Sequence, residues 1–328
     1  MRRMTSHFLI LRASTLALLA ALALPSAHAF DLQAHRGGRA LAPENTLAAF
    51  DNAMTLGVDT LELDINLSAD DVPVISHDMA LNPDHTRDAQ GNWLAATGPA
   101  IRTLPLAELQ RYDVGRLNPA TKYGQQFPRQ QPRDGQHIPT LAALFDTVKA
   151  RGATAVRFNI ETKLDPAQPA LSAAPEAMVK AILAAADAAG LRERITLQSF
   201  DWRALNAAGQ LAPGLPRAYL TSSRTLRDAR WTQGLARENF ASTAELVKAA
   251  AGGSAGVTWS PSYNDLTEAQ VKEAHALGLK VLPWTVNQRE DMARLIGWDV
   301  DGLITDDPAL LREVLRERNL PLPRAFAH

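Results

Sequence analysis

Short apolar runs that alternate with longer helix-like segments constrain this chain more than any other feature of its sequence. Eight such runs begin near residues 32, 60, 155, 195, 217, 256, 280 and 302. Residues 140–152 and 174–190, which lie between these runs, have helical apolar spacing and end at glycine. Strands that alternate with helices indicate an α/β protein with a parallel sheet. Eight strand–helix units predict a TIM (β/α)8 barrel, for which roughly 250 residues is typical.

One long segment, residues 78–138, does not fit this alternation. It is rich in Asn, Asp, Pro, Gln and Gly, and only residues 104–115 look helical. A loop of this length without structure is uncommon in a compact domain unless it serves a function. We therefore predict a small insertion subdomain over one end of the barrel.

The run at residues 72–76 follows the second strand too closely to return parallel to it, because a parallel crossover needs about a dozen residues. It must instead fold back as a hairpin. With Asp70 and Asp71 at the turn, the pairing predicts that Asp64 lies opposite His77. The insertion would then follow the second strand and its hairpin.

The first 29 residues are predicted to be a signal peptide. Arg2 and Arg3 precede an apolar run at residues 16–24, which is followed by Pro25 and the small-residue sequence "AHA". The run is too short for a membrane span, which needs roughly 20 apolar residues. We expect cleavage after Ala29 and a periplasmic or secreted barrel of residues 30–328 that keeps no membrane anchor.

Composition excludes several classes of protein. The chain has no cysteine, so neither disulfides nor thiolate metal sites nor cysteine nucleophiles are available to it. Its formal net charge of −1 at pH 7 does not fit a basic nucleic-acid-binding protein. A hydrophobic fraction of 46% is ordinary for a globular chain with a normal core.

Acidic side chains occur where apolar ones are expected. Glu62 and Asp64 are two residues apart in the second strand and therefore share one face. Glu161 and Lys163 show the same spacing at the end of the third strand. Catalytic groups of barrels gather at the carboxyl ends of the strands, and three carboxylates there suit Ca²⁺ or Mg²⁺. The alternative is a set of structural ion pairs with Lys or Arg.

Two histidines are predicted to lie at the same rim. His35 ends the first strand, and the hairpin returns His77 to the carboxylates. A histidine pair can supply a general base and a general acid near neutral pH. Arg36 and Lys163 are suited to binding an anion. Asp78 has two interpretations, because it could hold the His77 ring or cap the segment that follows.

The segments "HRGGRALAPENTLAAF", "ELDINLSADDVPVISHD", "FNIETK", "LQSFD", "LPWTVN" and "DGLITDDP" occur in this order along the chain. Together they resemble the glycerophosphodiester phosphodiesterase family. The resemblance implies a TIM-barrel enzyme that uses a divalent cation to hydrolyse glycerophosphodiesters, which are small molecules, to sn-glycerol 3-phosphate and an alcohol.

The resemblance also implies roles for individual residues, and two of these roles have alternatives. Trp284 would pack against the glycerol moiety or simply in the core, and Gln198 would contact the ligand or support the site by hydrogen bonding. The other implied roles are catalysis by His35 and His77, metal binding by Glu62, Asp64 and Glu161, and phosphate contact by Arg36 and Lys163.

The attacking group in such an enzyme would be water or the substrate's own 2-hydroxyl, and the second route passes through a cyclic phosphate. Two rival functions stay open from the sequence. One is a phospholipase C- or D-like enzyme of the same barrel superfamily, which would need an exposed apolar rim to reach a bilayer. The other is an exported binding protein that uses the barrel without catalysis.

Overall fold

The structure is a computed structural model that describes residues 30–326. The predicted signal peptide lies outside the described residues. No helix in the described part of the chain has the length and apolar character needed to cross a membrane.

The predicted eight-stranded parallel barrel is confirmed. Each strand pairs in parallel with its neighbours, in the order β8-β7-β6-β5-β4-β2-β1-β9, while β3 lies outside this series and pairs with β2. The strands are β1 (Asp31–Ala34), β2 (Thr60–Leu67), β3 (Pro73–Ile75), β4 (Arg157–Thr162), β5 (Ile195–Ser199), β6 (Arg217–Thr221), β7 (Val257–Pro261), β8 (Lys280–Val281) and β9 (Gly302–Thr305).

Backbone hydrogen bonds also join the two ends of this series. Asp301 N–H donates to the Val281 carbonyl at 2.9 Å, and Ile304 N–H donates to the Pro283 carbonyl at 3.1 Å. These bonds bring β8 and the residues after it against β9. The carboxyl ends of all eight parallel strands therefore surround one mouth.

In the described part of the chain, an α-helix follows each parallel strand of the barrel, and one short additional α-helix lies in the insertion. Thr46 caps the first helix by accepting from Ala49 N–H, as polar residues at this position commonly do. The helices are α1 (Leu47–Leu56), α2 (Leu106–Leu109), α3 (Leu141–Ala150), α4 (Pro175–Ala189), α5 (Trp202–Leu211), α6 (Thr243–Ala250), α7 (Glu268–Ala276), α8 (Arg289–Gly297) and α9 (Pro308–Glu317).

The main hydrophobic core includes the apolar side chains of β2 and those of the surrounding helices. Leu61, Leu63 and Ile65 are completely buried in it. Because successive side chains of a strand point to opposite faces, Glu62 and Asp64 face the barrel interior instead. One face of β2 therefore packs in the hydrophobic core, and its other face points into the barrel.

The hairpin is confirmed, but its predicted register is wrong by one residue. β3 runs antiparallel to β2 with Ile65 opposite Ile75, and Ser76 N–H donates to the Asp64 carbonyl at 3.0 Å. Asp64 therefore lies opposite Ser76 rather than His77. The turn holds one residue fewer between the paired positions than predicted, because Asp71 adopts a left-handed conformation with φ of 59°.

The insertion has a small hydrophobic cluster of its own. Leu81, Ile101, Leu109 and Ile138 are buried in it together with Val74 of β3. The stretch predicted to be helical at residues 104–115 contributes only the single turn of α2. The domain bounds at residues 78 and 138 stay a prediction.

Asp59, just before β2, is expected to make the stability of the fold depend on pH. Burial, opposed by a hydrogen bond from Leu32 N–H, raises its pKa from 3.8 to about 6. Between these values the unfolded chain loses the proton while the folded chain keeps it. The contribution of Asp59 to the free energy of unfolding therefore falls as the pH rises from about 4 to about 6.

Asp59→Asn removes this titration and keeps an oxygen that can accept from Leu32 N–H. We expect its stability relative to the wild type to increase across the same window, as measured by chemical denaturation at several pH values. Asp146→Asn, an exposed change on α3, is the control. An Asp59→Asn difference that does not vary between pH 4 and pH 7 would contradict this account.

Candidate active site

The turn after β1 places two predicted site residues at the mouth of the barrel. His35–Gly37 forms a short 3-10 turn in which Arg36 has a left-handed φ of 50°. Gly37 has a φ of 81°, and a Cβ there would lie 2.8 Å from the Ala49 Cβ, so only glycine fits. This conformation directs Arg36 N–H to Glu62 Oε2 at 2.9 Å.

Glu62, Asp64 and Glu161 form the carboxylate cluster of the site. β2 and β4 pair with Asp64 directly beside Glu161, and Glu62 lies two residues earlier on the same face. One oxygen from each residue lies within 4.8 Å of the other two, and all three side chains are buried. Oxygen donors at this spacing fit a hard divalent cation.

The electrostatics of the carboxylate cluster also fit a bound cation. Burial and the neighbouring charges of Asp64 and Glu161 raise the pKa of Glu62 well above its usual value. Burial raises the pKa of Glu161 as well. Asp64 Oδ1 accepts no hydrogen bond from any residue in the described part of the chain, which is costly for a buried carboxylate oxygen. A divalent cation would bind all three groups and remove the repulsion between them.

Two basic side chains border the carboxylate cluster. Lys163 Nζ lies 2.6 Å from Glu161 Oε1 and 3.4 Å from Asp64 Oδ1. Arg36 Nε lies 3.3 Å from Asp64 Oδ2. Burial would raise the pKa of Asp64, but Lys163, His77 and Arg36 together hold it below its usual value. Asp64 is therefore an anion in the folded chain.

His35 is held by a carboxylate from the other end of the chain. Its Nδ1 lies 2.5 Å from Asp306 Oδ1, directly after β9, and its Nε2 lies 4.0 Å from Glu62 Oε2. Asp306 also accepts from Arg39 Nε and from Asn287 Nδ2, both at 2.7 Å. Burial lowers the pKa of His35, although the negative charge of Asp306 opposes this shift.

His77 has an equivalent carboxylate partner. Its Nδ1 lies 2.9 Å from Asp78 Oδ1, and Asp78 Oδ2 accepts from Asn82 Nδ2 at 2.7 Å. Asp78 therefore holds the His77 ring with one carboxylate oxygen and contacts the segment that follows with the other. Burial, together with the charges of Arg36 and Lys163, lowers the pKa of His77 to about 4. Both histidines thus have one ring nitrogen held by a carboxylate.

A pocket at the mouth contains most of the predicted residues. Trp284 lines it, packs edge-on to Phe200 at 5.3 Å between centroids, and donates its indole N–H to the Ser260 carbonyl. Gln198 also lines the pocket, but its amide donates to Glu62 Oε1 at 2.6 Å and accepts from Asn159. The Gln198 contacts favour the supporting role over ligand contact.

The sequence interpretation missed several residues that hold the site together. Asp306 is in the motif "DGLITDDP" and follows a strand end, a position that could have indicated its role. Glu44 and Asn45 lie in "PENT" before α1; Asn45 Nδ2 donates to Asp64 Oδ2 at 2.9 Å. Nothing local in the sequence points to Tyr123, whose contacts depend on how the insertion packs.

Comparison with known proteins identifies the class. The glycerophosphoryl diester phosphodiesterase family model matches residues 35–310, which run from the turn after β1 to the first turn of α9 and include the pocket. Fold and match together define a TIM-barrel enzyme of the phosphoric diester hydrolase class. The chain belongs to the glycerophosphoryl diester phosphodiesterase family.

Individual relatives agree with this assignment. A glycerophosphodiester phosphodiesterase of Caldanaerobacter subterraneus subsp. tengcongensis is 30% identical over 87% of this chain and 97% of its own length. A Silicibacter pomeroyi DSS-3 structure, provisionally named a glycerophosphoryl diester phosphodiesterase, is 36% identical with a TM-score of 0.80, over 89% of this chain and 95% of that one. The structure of an Oleispira antarctica phosphodiesterase in complex with the product sn-glycerol-3-phosphate is 25% identical with a TM-score of 0.61, and the match covers 87% of this chain and 96% of that one.

Proposed function

We propose that this enzyme hydrolyses glycerophosphodiesters to sn-glycerol 3-phosphate and an alcohol, with His35 and His77 as its acid–base pair. The observation that carries the proposal is the pocket itself. Two histidines, each held by its own carboxylate, face the same pocket as two members of the carboxylate cluster, Glu62 and Glu161. An acid–base pair beside an oxygen-rich cation site is suited to phosphodiester cleavage, because it can transfer protons and stabilise the charge that develops at phosphorus.

The reaction begins with attack on phosphorus by the 2-hydroxyl of the glycerol moiety. One histidine takes the proton of that hydroxyl as the new P–O bond forms. The other protonates the departing alcohol as its P–O bond breaks, which leaves a cyclic phosphate. Water then opens the ring, with the two histidines exchanging roles, and sn-glycerol 3-phosphate is released. Asp306 and Asp78 keep the two imidazoles oriented during these steps.

Negative charge develops on the phosphoryl oxygens during attack. A divalent cation at Glu62, Asp64 and Glu161 would supply positive charge to these oxygens. Arg36 and Lys163 add two buried positive charges beside the same place, where the low dielectric strengthens their effect. Trp284 and Phe200 form an apolar wall of the pocket, which suits the carbon face of glycerol.

Soluble diesters fit this protein better than intact phospholipids. Of the described residues, the large hydrophobic side chains that are exposed are Leu211 and Leu322. Leu211 ends α5, and Leu322 lies beyond α9. Neither residue is among those that line the pocket. An enzyme that takes its substrate from a bilayer would need a contiguous apolar rim around the mouth.

The first test is a ³¹P NMR assay of the mature protein with glycerophosphocholine and glycerophosphoglycerol, which also detects a transient cyclic phosphate. His35→Ala and His77→Ala should each lower kcat by about 10²- to 10⁴-fold, because each removes one proton-transfer group. His137→Ala, an exposed histidine of the insertion, is the matched control. Near-normal turnover by either pocket variant would contradict the acid–base roles.

Metal removal tests the carboxylate cluster. EDTA should abolish turnover, and either Ca²⁺ or Mg²⁺ should restore it. Glu62→Gln should weaken cation binding in calorimetry by about tenfold or more, because it removes one anionic ligand. The control is Glu176→Gln on the exposed face of α4. Full activity of the wild type in EDTA would exclude a required cation.

We also propose that the enzyme is exported to the periplasm or secreted, on the evidence of the charged, apolar and small-residue regions of residues 1–29. Expression of the full sequence in a Gram-negative host should give a processed chain that begins at Phe30, as read by N-terminal sequencing. An unprocessed chain that stays in the cytoplasm would be the contrary result.

A further inference from the structure

Two chains of hydrogen bonds, the first and the second arm, run from the hydroxyl of Tyr123 in the insertion to the active site. Its hydroxyl donates to Glu44 Oε2 in a short hydrogen bond, and it accepts from Arg39 Nη1 at 3.0 Å. Glu44 lies before α1 and Arg39 follows the turn after β1. The hydroxyl therefore joins the insertion to two separate positions on the barrel.

The first arm leads to the cation side of the site. Glu44 Oε1 accepts from Arg36 Nη1 at 2.7 Å. Arg36 in turn lies beside Asp64 and donates its backbone N–H to Glu62. The Arg36 side chain is buried, so its orientation depends on these few partners.

The second arm leads to the acid–base side. Arg39 lines the pocket and donates from Nε to Asp306 Oδ1 at 2.7 Å, and this oxygen also lies 2.5 Å from His35 Nδ1. The Arg39 guanidinium lies 5.9 Å from the centroid of the Tyr123 ring and 5.0 Å from that of Phe127. Two aromatic rings of the insertion thus hold the charged group that shares Asp306 with His35.

The protonation states suit this arrangement. Burial and the negative charge of Glu44 raise the pKa of Tyr123, so its hydroxyl keeps the proton that it donates. Burial opposes the ionisation of Glu44, but Arg36 holds its pKa at about 2. Glu44 therefore accepts from both Arg36 and Tyr123 as an anion, and hydrogen bonds of this charge-assisted kind are the stronger ones.

We propose that Tyr123 is a positioning residue that aligns Arg36 for phosphate binding and His35 for proton transfer, so that the insertion is a working part of the active site. The inference rests on the roles that the proposed function gives to Arg36 and His35. Tyr123 does not line the pocket and acts through Glu44 and Arg39.

Tyr123→Phe tests the proposal because it removes only the hydroxyl. We expect kcat for glycerophosphocholine to fall roughly 10- to 100-fold, the range typical for groups that orient a catalytic shell. The Kd of inorganic phosphate, measured by calorimetry, should rise several-fold. Tyr112→Phe is the matched control, because Tyr112 is also in the insertion, where its ring packs against the hydrophobic cluster and its carbonyl accepts from His137 Nδ1.

The phosphate Kd separates positioning from a general loss of folded protein. A reduced folded fraction lowers the apparent kcat and the number of binding sites but leaves the Kd and KM unchanged. In a Glu44→Gln background, Tyr123→Phe should change kcat and the phosphate Kd by smaller factors than it does alone, because the two residues belong to the same chain of hydrogen bonds. Additive effects of the two substitutions would overturn the proposal.

The outcomes also distinguish this inference from the proposed function. If the wild type cleaves glycerophosphodiesters and Tyr123→Phe retains its kcat and phosphate Kd, the positioning role is wrong and the function stands. If the wild type cleaves none, the function fails, while an unchanged phosphate Kd in Tyr123→Phe would overturn the positioning role independently. A phosphate Kd that rises in Tyr123→Phe but not in Tyr112→Phe supports the positioning role.

Discussion

Repulsion among three buried carboxylates is the constraint around which this site is built. Glu62, Asp64 and Glu161 are held so close together that burial and mutual charge raise the pKa of Glu62 well above its usual value. Such a cluster persists only if positive charge lies beside it. Lys163, Arg36 and the Arg36 backbone N–H supply part of that charge. Of these basic residues, Arg36 also lines the pocket, where the proposed function has the phosphate bind.

The backbone of the barrel holds the carboxylates in place, and part of the cost is the left-handed conformation of Arg36. The left-handed turn at Arg36 and Gly37 directs the Arg36 N–H at Glu62. Only glycine fits at position 37, because a Cβ there would collide with α1. Strand pairing sets Asp64 beside Glu161, and Glu161 beside Gln198. A polar chain of Gln198, Asn159 and Gln33 continues from Glu62 down the interior of the barrel. Glu62 therefore has little freedom to turn away from its neighbours.

The two histidines are supported in similar ways from different parts of the chain. Asp306 comes from the end of β9 and Asp78 from the segment after the hairpin. His85 Nε2 is 3.5 Å from Asp78 Oδ2, and the His85 ring lies 6.4 Å from Tyr123, which leads to Asp306 through Arg39. The insertion thus supplies the carboxylate that holds His77 and connects through Arg39 to the carboxylate that holds His35.

The sequence by itself determined the eight strands, the barrel, the face shared by Glu62 and Asp64, and the gathering of the nine predicted residues at one mouth. These follow from local periodicity, since alternation in a strand and the common direction of parallel strands decide which side chains meet. Only the tertiary structure decided the hairpin register and the partners of the site. Asp64 lies opposite Ser76 because of one left-handed residue in the turn. Asp306 and Tyr123 reach their partners across 271 and 79 positions of the chain, and contacts at that separation depend on packing that no local pattern encodes.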